Sequence, residues 1–109
     1  MTTAILAGVV RMGPGEKLNL SISFVNRLSV GENLSGSAQS TLIDVTLGRE
    51  HPGGLPAGPI PVSPVVSQMV SNLLSGHVYL LDILVNTSGQ QTLEGQIEII
   101  CEGRPHLVL

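Results

Sequence analysis

The stretch that decides the fold is His77–Cys101, HVYLLDILVNTSGQQTLEGQIEIIC. Within it Tyr79, Leu81, Ile83 and Val85 alternate along one arm, Asn86-Thr87-Ser88-Gly89 supplies turn chemistry, and Leu93, Ile97, Ile99 and Cys101 alternate along the return. Successive side chains of a strand point to opposite faces, so a period of two over this length is the mark of a strand buried on one side. Two such runs joined by an Asn/Ser/Gly turn predict an antiparallel hairpin, with Gly89 as a structural turn residue. Glu94, Gln96 and Glu98 take the other parity and are expected to face water. Leu80 and Leu84 also fall on the face opposite Tyr79–Val85, where nothing in the hairpin covers them.

Upstream, Leu18, Leu20, Ile22 and Phe24 alternate with Asn19, Ser21 and Ser23, a second half-buried strand that ends in a core phenylalanine. Thr3–Met12, rich in Ala, Ile, Leu and Val, reads as an opening strand. Ser29–Leu34 and the Ser/Gly-rich Ser35–Ser40 read as turn chemistry leading into an apolar strand around Thr41–Leu47. In Val65–Leu74 the spacing of Val66, Met69, Val70 and Leu73 fits a short amphipathic helix as well as a strand. β-Branching at Val65, Val66 and Val70 favours the strand. The sum is an all-β chain: a single antiparallel immunoglobulin-like β-sandwich of about 6–8 strands spanning residues 1–109.

Residues 48–64 differ in kind. Pro52, Pro56, Pro59, Pro61 and Pro64 stand among Gly48, Gly53, Gly54 and Gly58, a composition expected to forbid ladder pairing and to leave a long loop outside the fold. Leu55, Ile60 and Val62 lie between the prolines as apolar anchors, so the loop is expected to be a contact segment. The short apolar tail 103–109 offers Leu107, Val108 and Leu109 as further contact candidates.

Composition narrows the function. Leu, Val and Ile make up 36 of 109 residues, which excludes general disorder. Five Lys+Arg against eight Asp+Glu leave too little positive charge for a nucleic-acid binder. No apolar run reaches the roughly 18–20 residues that span a bilayer, so no membrane partner is expected. Ala4–Val10 is short and follows no basic residue, so it is not read as a secretory signal and the mature chain is expected to begin near Met1.

No catalytic residues, cofactor-binding residues or metal ligands are expected. The nucleophile-elbow, zinc-protease, P-loop and C-x-x-C patterns are all missing from the sequence, and Gly13-Pro14-Gly15 reads as a turn. His51, His77 and His106 lie in three distant segments and read as isolated loop or surface histidines. Asp44 and Asp82 both sit inside strands, and a paired general acid and base would require those strands to be adjacent; the plainer reading puts both on the solvent face. The lone Cys101 reads as a small buried hydrophobe. Tyr79, at the start of the penultimate strand, is expected to bury its ring and tie its hydroxyl to the preceding corner.

The segment Leu74-Ser75-Gly76-His77-Val78-Tyr79, the hairpin that follows it, and the upstream turn Ser29-Val30-Gly31-Glu32-Asn33-Leu34-Ser35 resemble the small immunoglobulin-like proteins of bacteriophage particles. In that group a glycine turn precedes a tyrosine-bearing strand, a Thr-Ser-Gly hairpin follows, and an alternating apolar strand closes the domain. The resemblance implies a non-enzymatic structural protein of the virion, assembled in the host bacterial cytoplasm, acting as a head decoration or a tail/fibre adaptor. It implies other virion proteins as partners, with a homo-oligomer or repeating assembly. An extracellular immunoglobulin-like adhesion module is the second reading, and a small hydrolase using Asp44 and Asp82 is the weaker third.

Overall fold

The computed structural model describes residues 4–102. Eight strands follow one another: β1 Ala4–Met12, β2 Leu18–Ser23, β3 Leu34–Asp44, β4 Arg49–Glu50, β5 Ile60–Val62, β6 Val65–Val70, β7 Val78–Thr87 and β8 Thr92–Cys101. Single-turn 3-10 helices occupy Val25–Arg27 and Pro52–Gly54. The strands form a five-stranded sheet in the order β1-β8-β7-β3-β4 and a three-stranded sheet in the order β2-β6-β5. The two sheets pack face to face as a β-sandwich. Apart from β1, this is the immunoglobulin strand arrangement, with the last two strands and the third in one sheet and the second, fifth and sixth in the other.

Every pairing is antiparallel except β1 with β8, which is parallel and shifts register between Leu6 and Gly8. The antiparallel sandwich thus carries one parallel pairing, at this edge. Alternation reports which face a strand buries and says nothing of the direction of its neighbour.

The core is the set of inward parities. Leu20, Ile22 and Phe24 from the small sheet meet Tyr79, Leu81, Ile83 and Val85 of β7 and Leu93, Ile97, Ile99 and Cys101 of β8, all buried. Gly95 interrupts the inward row of β8 because Ile22 and Phe24 press there: a Cβ at Gly95 would lie 3.0 Å from the Ile22 side chain and 3.1 Å from the Phe24 ring. The small sheet therefore approaches the large one closely at a position without a side chain. Burial pushes the Cys101 thiol above its ordinary pKa, which keeps it protonated within the core.

Two expectations about the middle of the chain are overturned. Ser35–Ser40 is strand and not turn: β3 starts at Leu34 and pairs with β7 from Leu34↔Thr87 to Asp44↔Tyr79, with an irregularity between Leu34 and Ala38. Small polar residues serve a strand whose backbone is satisfied by its neighbour and whose outer side is wet. Val45–Leu47, expected to be strand, is the turn, closed by Gly48 N–H donating to Asp44 O at 2.8 Å with Gly48 at φ 71°.

Residues 48–64 are likewise part of the fold. They hold β4, the Pro52–Gly54 turn and β5, where Pro61 pairs opposite Val66. The prolines do not forbid this pairing because β5 is an edge strand, and an edge needs only one side of its backbone to pair. Gly54 is buried against Leu42, His51 and Leu73, and Leu55 packs on the core. The inward-facing Gln68 of β6 donates through Nε2 to Ala57 O at 2.7 Å and to Met69 O at 2.8 Å, tethering the segment from within.

Candidate functional site: the open face of the five-stranded sheet

The outward parity of the large sheet can be read from its register. One row crosses Val9, Glu98, Leu80 and Ile43; the next crosses Leu6, Gln96, Asp82 and Thr41; a third crosses Glu94, Leu84 and Gln39. Among the described residues no element covers this face. Leu6 is 62% exposed and Val9 53%, while Ile43, Leu80 and Leu84 are half-buried. Beside Leu84 lies a hollow of about 130 Å³ lined by Ser37, Gln39, Asn86 and Thr92. The first row is the most apolar, with Val9, Leu80 and Ile43 around Glu98, and the other two are mixed, with Leu6 beside Gln96, Asp82 and Thr41 and with Leu84 between Glu94 and Gln39.

The charge of the face is acidic and unevenly held. A side-chain hydrogen bond with Asp82, then partial burial, then the Asp82 charge raise Glu94 from the ordinary carboxyl value to about 6. Gln96 donates to Asp82 Oδ1 at 3.2 Å from the neighbouring position. Two carboxyl groups that must share one patch release their second proton late, because the first negative charge opposes the second. At the far end of the sheet Arg11 is paired with Glu102.

On the opposite, buried side of the same sheet sits a polar knot. Asp44 is fully buried and lies 2.8 Å, Oδ2 to Nδ1, from His77, while its Oδ1 accepts from the Leu47 N–H at 3.0 Å. Burial acts to raise this carboxyl, but the His77 hydrogen bond, the Leu47 N–H and the positive potential of His77 and His51 together outweigh it, and Asp44 is held below the usual carboxylate range. His51 and His77 approach Tyr79 at ring-centroid distances of 5.3 and 6.3 Å, and His51 Nε2 lies 2.9 Å from Asn72 O. The Tyr79 hydroxyl accepts from the Leu74 N–H at 2.9 Å, and burial pushes the phenol above its ordinary pKa. Such a hydroxyl-to-backbone tie just upstream is the tyrosine corner of immunoglobulin-type sandwiches.

This placement separates the two aspartates. Asp44 stands opposite Tyr79 with the inward parity, whereas Asp82 stands opposite Thr41 and Gln96 with the outward one. A sheet lies between them and they cannot share a proton or a substrate. Nor does Asp44 occupy the solvent face: its neighbours on the chain are apolar because it belongs to the core side. The two described histidines are not isolated either, since the β3–β7 pairing brings His51 and His77 to one tyrosine. His106 lies outside the described residues, among which no group of three metal-ligating side chains forms.

The remaining candidates divide. Leu55 is half-buried on the core, whereas Ile60 and Val62 are exposed on β5 at 62% and 69%. Leu107, Val108 and Leu109 lie outside the described residues. Phe24 is fully buried. Gly89 is not the left-handed residue of its turn; Gln90 is, at φ 65°. Gly89 instead leaves room for Glu32, whose carboxylate accepts from the Ser29 N–H at 2.9 Å, from the Thr87 hydroxyl and from Gln91 Nε2 at 3.3 Å. The Ser29 and Thr87 bonds lower the Glu32 pKa against the opposing effect of burial. Near that end Val25 and Val30 border a shallow cleft of about 320 Å³.

Compared with known proteins, the chain matches no protein-family model and no curated protein sequence. Among the described residues no helix is long and apolar enough to cross a membrane.

Proposed function

We propose that the protein is a non-enzymatic structural module that works by docking protein partners on the open face of its five-stranded sheet. The observation that carries this reading is the exposure of Leu6 and Val9 on a sheet face that also bears the half-buried Ile43, Leu80 and Leu84 and that no element among the described residues covers. Large apolar side chains left exposed together on one face of a folded domain favour a contact surface. Ile60 and Val62 on the edge strand β5 supply a second, smaller contact. The resemblance of the Gly76–Tyr79 corner and its hairpin to small virion proteins supports, as partners, other proteins of a bacteriophage particle, with this chain as head decoration or tail/fibre adaptor, in the virion after assembly in the host cytoplasm.

The test is incorporation. Wild-type chain added to particles that lack it should rejoin them, and a folded Leu80→Lys/Leu84→Lys variant should not. Hundreds of copies per particle would assign it to the head lattice, a dozen or fewer to a neck or tail ring. Particles that never contain the chain would overturn the reading.

A further inference from the structure

Building on that reading, we infer that the free edge of β1 accepts an extended, basic segment of a partner protein as an added strand. That strand hydrogen-bonds to the Val9 and Arg11 backbone and lays its cationic side chains across Leu6 and Val9 towards Glu94 and Glu98.

The backbone of the edge fits a strand. β1 is the terminal strand of its sheet and, among the described residues, pairs on one side only, with β8. Met12 O accepts from the Glu102 N–H at 3.0 Å, so the backbone groups of Met12 face β8 and its continuation. Those of successive residues in a strand point to opposite sides, and the register from Gly8 to Met12 is unbroken. The N–H and C=O groups of Val9 and Arg11 are therefore directed away from β8, to the open edge, where an added backbone can pair with them.

The other three edges suit a strand less well. β4 has two residues, Arg49 and Glu50, both charged. β5 has three, and its central Pro61 has no N–H to donate. β2 is six residues long, but its alternate positions Asn19, Ser21 and Ser23 are polar. β1 runs for nine residues without a proline, and its one charged side chain, Arg11, is already paired with Glu102.

The side chains behind the edge define the chemistry of the partner. Across the outer face, Leu6 and Val9 come first, and Gln96 and Glu98 of β8 stand directly behind them, with Glu94 in the adjoining row. A Lys or Arg on an added strand matches this order, because its aliphatic stem covers Leu6 or Val9 while its head reaches towards carboxylates two strand spacings away, about 10 Å. The outward row of β8 and its continuation carries Glu94, Glu98 and Glu102 against the single Arg11. An acidic segment is opposed there, and a neutral one leaves the glutamates unmatched. A second copy is a poor occupant, since its own β1 is bordered by the same three glutamates and each chain has a net charge of −3.

A capped peptide of alternating Lys and Val, about eight residues long, tests this when titrated into the purified chain at about pH 7.5 and low salt with amide NMR and hydrogen exchange as readouts. The expected result is binding with a Kd of about 100 μM or tighter, with exchange at Val9 and Arg11 slowed at least about tenfold. Affinity should fall at least about fivefold in Glu94→Gln/Glu98→Gln, and likewise in about 0.5 M salt. Val9→Pro removes an N–H at the open edge and leaves the β8 side of the ladder intact, so it should weaken binding too; where circular dichroism shows it unfolded, the glutamine variant decides. No binding at about 1 mM peptide, binding that leaves Val9 and Arg11 unprotected, or equal binding of a Glu-Val peptide would each overturn the inference. So would slow exchange of both amides in the free chain, because the edge would then be held by residues 103–109 of the chain or, if the protection grows with concentration, by a second copy. A chain that joins particles but takes no basic strand overturns this contact and leaves the proposed function standing. A chain that takes the peptide but is found in no particle does the reverse.

Discussion

The imidazole of His77 and the carboxylate of Asp44, 33 positions apart in sequence, meet at 2.8 Å on the inner side of the large sheet. The contact ties the turn after β3 to the strand that opens the C-terminal hairpin. Because Asp44 is held below its ordinary value of 3.8, it adds stability that is present above about pH 4 and is lost as pH falls through its lower folded-state value. Asp44→Asn should flatten that acid limb. Urea unfolding of wild type and variant between pH 2.5 and 5 checks it, and identical limbs would refute it.

Glu94 carries the opposite sign. Its carboxyl is raised from 4.5 to about 6, so the stability it adds is full below about pH 4.5 and is lost as pH rises through 6. Glu94→Gln should remove this decline from the stability profile of the dilute chain. Unfolding midpoints measured at pH 4.5, 6 and 7.5 read it directly.

Replacing Tyr79 with Phe keeps the buried ring and removes the acceptor of the Leu74 N–H. Losing the partner of a part-buried amide costs about 0.5–1.5 kcal/mol. Denaturant unfolding should show a loss in that range, with faster amide exchange at Leu74 than at core sites of β7.

At Gly95, any larger side chain meets Ile22 and Phe24. Gly95→Val should destabilise by about 1–3 kcal/mol through overpacking, despite the better strand propensity of valine. Ile83→Ala, directly opposite Gly95 on the paired strand, should cost about 2–5 kcal/mol through the cavity it leaves. A Gly95→Val protein as stable as wild type would mean that the sheets separate more easily than this packing implies.

Replacing Leu55–Val62 by a short Gly/Ser linker removes β5, the Leu55 packing and the Ala57 carbonyl that receives Gln68. The amide of a buried Gln68 would lose that partner, so the shortened protein should be less stable by about 2 kcal/mol or more. Thermal unfolding of the shortened chain at neutral pH distinguishes this from an inert loop, whose replacement would leave the midpoint unchanged.

The hairpin and β2 were legible because burial on one face writes a period of two into the residues, and Leu20, Ile22, Tyr79, Leu81, Ile83, Ile97 and Ile99 all carry it. What periodicity cannot carry is which strand lies beside which. Parallel β1, the separation of Asp44 from Asp82 and the meeting of His51 with His77 around Tyr79 all depend on that adjacency. Local chemistry also misled where tertiary context overrode it: serines and glycine in the first half of β3 look like a turn, and prolines around β5 look like an unpaired loop. The carboxyl pair was half legible. Glu94 and Leu84 both showed their outward parity, but only the register Leu84↔Glu94 beside Asp82↔Gln96 brings the two acids together.

The parallel pairing of β1 with β8 has a mechanical consequence. Because the first and last strands run in the same direction side by side, Ala4 lies beside Glu94 and Met12 beside Cys101, so the chain enters at one end of the ladder and leaves at the other. Tension applied through these two ends acts along the strands and loads the whole ladder in shear. Its hydrogen bonds must yield together, whereas a hairpin pulled from its open end gives way one pair at a time. A module wired in this way resists force along the line of its own backbone.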